Sequence, residues 1–79
     1  MKKQITEATL IEIANERLRT TPGYEEGMKV HSAKMEKHLL VLTGEFFLDD
    51  GASPTPRTLK VMPIYEELTN SLGSEFTVL

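Results

Sequence analysis

The chain has 79 residues, 39% of them hydrophobic and 27% charged, with a net charge of −3 and no cysteine. Its size suits one domain over residues 1–79 with a thin core. The lack of cysteine excludes disulfides, thiolate nucleophiles, cysteine zinc sites and iron–sulfur clusters, and nine basic residues against twelve acidic ones leave no basic patch for nucleic acid.

The spacing predicts a first helix over Ile5 to Leu18. Thr6 is its expected N-cap, because a threonine hydroxyl accepts a bond from an early amide. Ile5 and Leu10 stand at hydrophobic-staple spacing. Leu10, Ile13, Ala14 and Leu18 recur at helical intervals as the buried stripe. Thr20-Thr21-Pro22-Gly23 then ends the helix.

Met28 to Glu36 reads as a first strand. Met28 and Val30 share one face while Ala33 and Met35 fall on the other, so a bulge is expected near His31–Ser32. His38 to Asp49 is the second and stronger strand. Leu40, Leu42, Phe46 and Leu48 face one way; Leu39, Val41, Thr43 and Phe47 face the other. Apolar residues on both faces suit a central strand. Gly44 marks a bulge or a close backbone contact. A hairpin is the economical link between the two strands, although Glu36-Lys37-His38 offers no glycine for positive φ.

Asp49 to Thr58 is expected to be a loop, with Asp-Asp-Gly as a turn and two prolines after it. Val61, Ile64, Tyr65, Leu68 and Leu72 predict a second amphipathic helix. Pro63 is placed in its first turn or so, because deeper it would cost about 3 kcal/mol. Gly73 suits the position just past the helix end. The closing residues EFTVL (75–79) are a candidate third strand. The order gives an α+β fold: a two-layer α-β-β-α-β arrangement, with a small three-stranded sheet and two helices packed on one face. A last strand parallel to the second would require a right-handed crossover.

The stretch LLVLTGEFFLDDGASPTPRT (39–58), with ITEATLIEIANERL (5–18) before it, resembles the YciN-like family of small bacterial proteins. The resemblance covers nearly the whole chain. Its most distinctive part is Thr43-Gly44-acid-aromatic-Phe47-Leu48-Asp49, followed by Pro54-Thr55. It implies no reaction, cofactor or catalytic residue, because the family has none assigned. Relatives place an Asn-Gly turn where this chain has Lys37-His38, which supports the hairpin. They lack a proline matching Pro63.

Each candidate chemistry has a plainer reading. Glu45 and Asp49, four apart on a strand, would be about 13 Å apart, wider than either glycosidase spacing. His31 and His38 would be separated by about 20 Å along the hairpin, too far to share a metal ion. No G-x-S-x-G elbow or phosphate-cradling glycine pattern occurs. No apolar run approaches the roughly 20 residues that cross a bilayer. Glu7, Glu12 and Glu16 break the opening segment, so no signal peptide is expected. A cytoplasmic location fits the missing cysteines.

The strongest functional signal is the face of the second strand that the helices leave bare. Leu39, Val41, Thr43 and Phe47 are the expected contact residues of a non-enzymatic module that binds another protein or itself, with no metal, cofactor, nucleic acid or membrane partner. Phe47 is either exposed there or covered by a terminus or loop. A homodimer through the bare face or through an unpaired strand edge is the simplest form. The alternative is a small enzyme or ligand-binding protein, with a site between loop 49–58 and the second helix that uses Asp49, Asp50 and Arg57.

Overall fold

The computed structural model describes residues 2–79. Six elements follow one another: β1 (Lys3–Ile5), α1 (Glu7–Thr20), β2 (Val30–Glu36), β3 (Leu39–Gly44), α2 (Pro56–Glu75) and β4 (Phe76–Val78). The α+β class is as expected. The strands, however, form two pairs rather than one three-stranded sheet: β2 and β3 are antiparallel, and β1 and β4 are parallel. β1 went unread because Lys3-Gln4-Ile5 has one apolar residue, too little for an alternation signal. Its presence gives β4 a partner other than the hairpin, with Lys3 opposite Phe76 and Ile5 opposite Val78. The Leu79 amide extends that ladder, donating to the Ile5 carbonyl at 2.9 Å.

α1 begins as its sequence prescribes. Thr6 is extended, and its hydroxyl accepts from the Thr9 amide at 3.2 Å. Leu10, Ala14 and Leu18 are buried. They meet Val61, Tyr65, Leu68 and Leu72 of α2 and Met28, Val30, Ala33 and Leu40 of the hairpin layer in one core. This arrangement buries the stripe of each helix against a sheet face it could not cover alone.

α2 differs from expectation at both ends. It starts at Pro56, not near Val61, because Thr55 caps it in a reciprocal box with Thr58 and Pro56 needs no amide partner in the first turn. It ends at Glu75, so Gly73 lies inside it. The chain passes directly into β4, with the Phe76 amide donating to the Leu72 carbonyl. Arg17 holds this end through a bidentate pair with Glu75, one arm at 2.9 Å, and its guanidinium lies 5.9 Å from the Phe76 ring centre. The hydrogen bond from Arg17 keeps the Glu75 carboxyl below the usual carboxylate range.

Pro63 therefore lies inside the helix and not in its first turn. Its ring removes the amide that would have met the Leu59 carbonyl. Both residues are exposed, so water reaches that carbonyl and the break is tolerated. Pro63→Ala is expected to raise stability by about 1–2 kcal/mol, the restored helical bond being partly offset by a more flexible unfolded chain. Urea unfolding followed by circular dichroism measures it. An unchanged or lowered midpoint would mean that the proline is accommodated without strain.

Candidate functional site

The hairpin places the expected contact residues. Its two-residue turn has positive φ at Lys37 (48°) and His38 (73°), the twist that suits a right-handed strand pair. From there the register runs Glu36 to Leu39, Lys34 to Val41 and Ser32 to Thr43 on one face. Met35 to Leu40 and Ala33 to Leu42 fall on the other. A register shift between Val30 and Ser32 provides the expected bulge. The second face turns to the core, where Ala33 and Leu40 are buried. The first is open, with Leu39 71% and Val41 38% exposed.

Leu39, Val41 and Thr43 thus lie together on the bare face, but Phe47 is not with them. β3 stops at Gly44, well short of Asp49, and Phe47 takes a left-handed φ of 57°. The Glu45 amide still donates across to the Lys29 carbonyl, but the chain turns there: the Glu45 carboxylate accepts the Phe47 amide at 3.0 Å. The Phe47 ring then packs against Gly27, where a Cβ would lie 3.1 Å from it, and the Arg57 guanidinium covers it at 3.7 Å from the centroid. A loop and α2, rather than solvent, therefore receive this ring. The Thr55 and Thr58 hydroxyls fix the segment by donating to the Phe47 carbonyl at 2.8 Å and the Phe46 carbonyl at 2.6 Å.

The residues of the alternative site are engaged elsewhere. One Asp49 oxygen accepts the Gly51 and Ser53 amides, each at 2.9 Å, so this carboxylate closes its own turn. Asp50 is exposed at the tip. Arg57 stacks on Phe47, donates to the Glu26 carbonyl at 2.9 Å and lies 3.7 Å from the Glu25 carboxylate. Among the described residues, no group of three or more histidine, aspartate or glutamate side chains is placed to hold a metal ion, and no helix is long and apolar enough to cross a membrane. Tyr65 is a titratable side chain that joins α2 to the hairpin. Its hydroxyl donates to the Glu45 carbonyl at 2.8 Å and accepts the Lys29 amide at 3.1 Å, and burial pushes its pKa up. That is a structural tie between α2 and the hairpin.

The two edges of the hairpin are treated differently. The outer edge of β2 is occupied by side chains of α1: Asn15 bonds both the amide (2.7 Å) and the carbonyl (3.1 Å) of Val30, and Glu7 accepts the Ala33 amide at 3.1 Å. Among the described residues, the outer edge of β3 pairs with no strand. α2 packs against β3, and Met62, Glu66, Thr69 and Gly73 share one side of it by helical spacing. Thr69 and Gly73 line a groove with Leu39 and Leu40, while Leu59 is 67% and Met62 49% exposed. Sequence reasoning ended the loop at Thr58 and placed the helix start near Val61, so Leu59 was not read as part of an established helix face, and Met62 was not singled out. The signal was Thr55-Pro56 with Thr58 three residues after the cap.

Across residues 1–79 the chain matches the family model described as "Protein of unknown function (DUF2498)". No curated protein and no solved structure matches it.

Proposed function

We propose that this chain, which belongs to the DUF2498 family of proteins of unknown function, is a non-enzymatic cytosolic module that binds another protein molecule, a second copy or a different chain, through its β2–β3 hairpin. The likeness to the YciN-like bacterial proteins is part of this proposal. The observation that carries it is the exposure of Leu39 and Val41 on a face that neither helix covers. An exposed leucine alone is ordinary. Here two apolar residues stand side by side on a regular strand, with exposed Leu59 and Met62 on the adjoining helix. The missing cysteines fit a reducing compartment.

Amide NMR spectra and sedimentation of wild type and Leu39→Ser, over a dilution series from high micromolar concentration, test this reading. Concentration-dependent shifts confined to Leu39, Val41, Thr43 and their cross-strand neighbours are expected, as is their loss in Leu39→Ser. Affinity purification from native cells covers a different chain as partner. Overturning the proposal takes two results together: spectra that do not change with concentration, and no co-eluting protein that Leu39→Ser releases.

A further inference from the structure

Resting on that reading, we propose that the occupant of the free β3 edge is a second copy of this chain, added as an antiparallel strand about a two-fold axis at Val41. The open edge is a template. In the hairpin register, Val41 and Thr43 point their backbone groups towards β2, so those of Leu40 and Leu42 point outwards. The strand LLVLTG carries no charge and no proline, the usual guards of an exposed edge. The opposite edge of the same hairpin is closed by Asn15 and Glu7.

The choice of a second copy follows from self-complementarity. Across a two-fold axis at Val41, Leu40 of one copy pairs with Leu42 of the other in both directions, and each pair exchanges two backbone bonds. Leu39 comes opposite Thr43. The exposed Leu39 and Val41 of both copies then form one apolar cluster at the centre of a four-stranded sheet. One step further out, Lys37 of each copy comes opposite Glu45 of the other. Both are exposed, and both stand at the ends of the uncharged stretch. The charges therefore match in this register and in the antiparallel sense. The added strand runs past the groove that Thr69 and Gly73 of α2 line with Leu39 and Leu40.

The absence of cysteine makes the register directly testable. Residues facing each other on the axis form a non-hydrogen-bonded pair, with Cα atoms about 4.5 Å apart, within disulfide range. Val41→Cys should cross-link into covalent dimers on mild oxidation, and Ser53→Cys, in an exposed loop, should not. Val41→Glu places two carboxylates together on the axis while leaving each next to Lys34 of its own hairpin, so the monomer should fold and fail to dimerise. Lys37→Glu and Glu45→Lys should each weaken sedimentation dimers about three- to tenfold, because each change affects both symmetric pairs. The double variant should recover most of the Glu45→Lys loss, short of what the missing Phe47 amide contact costs.

A dimer that Val41→Glu does not disturb, or whose charge variants show no mutual rescue, overturns the edge pairing and leaves the interaction module standing. A wild type monomeric at high micromolar concentration overturns the second copy as occupant. The module reading then stands or falls on a different chain released by Leu39→Ser.

Discussion

Gly44→Ala is expected to destabilise the protein by about 3 kcal/mol, a large share of the roughly 5–15 kcal/mol that holds a small domain. A methyl at this position would lie 2.5 Å from the Lys29 carbonyl oxygen and 3.1 Å from the Tyr65 ring. Neither neighbour can step aside cheaply. The Lys29 carbonyl accepts the Glu45 amide at 2.9 Å, and the Tyr65 hydroxyl is held by the Glu45 carbonyl and the Lys29 amide. Pushing either one breaks bonds where three segments meet. Thermal unfolding should therefore fall by about 12–24 °C, at 4–8 °C per kcal/mol for a chain of this length. Gly51→Ala is the control: its nearest neighbour is the Asp49 carboxylate at 3.5 Å, and its effect should stay within about 0.5 kcal/mol. A Gly44→Ala midpoint within a few degrees of wild type would mean that β3 and Lys29 can separate without loss.

Gly44 also shows what a sequence can disclose. A glycine inside an apolar run signals a close approach, and that signal was legible. The approaching group was not, because Lys29 and Tyr65 reach it only through the fold. The N-cap at Thr6 and the bulge beside His31 were readable for a similar reason: each is decided by residues within a few positions. The errors lie where local rules compete with packing. Pro63 argues against a helix interior, yet the Thr55–Thr58 box ahead of it and the buried Val61, Tyr65, Leu68 and Leu72 around it outweigh one missing bond. The alternation of residues 38–49 extends through Phe46 and Phe47. Alternation cannot register the turn of the Glu45 carboxylate onto the Phe47 amide, nor the Arg57 guanidinium that awaits the ring. Of the four contact residues, the three inside β3 kept their face and the one beyond Gly44 did not.

The second large effect is expected at Asn15. Asn15→Ala should cost about 2–3 kcal/mol, because it leaves two backbone groups of a fully buried residue without partners. The asparagine acts as a short piece of missing strand. Its carbonyl accepts the Val30 amide and its amide donates to the Val30 carbonyl, the exchange a neighbouring strand would have made. The register explains the need for it: beyond the bulge Val30 stands opposite Gly44 as a non-hydrogen-bonded pair, so its amide and carbonyl face outward to α1. Asn15→Asp keeps the acceptor and loses the donor, so it should fall between the alanine variant and wild type. Denaturant unfolding gives the size of the loss, and amide exchange gives its location. Val30 should lose protection in Asn15→Ala under conditions where Leu72 and Val61 keep theirs. Equal exchange at Val30 in both proteins would mean that water replaces the side chain at no cost. Because Asn15 and Glu7 guard β2, loss of Asn15 should also open a second strand edge. Asn15→Ala is then expected to form higher oligomers in sedimentation, where Val41→Glu forms none, because α1 side chains close one side of the hairpin and, among the described residues, no strand pairs with the other.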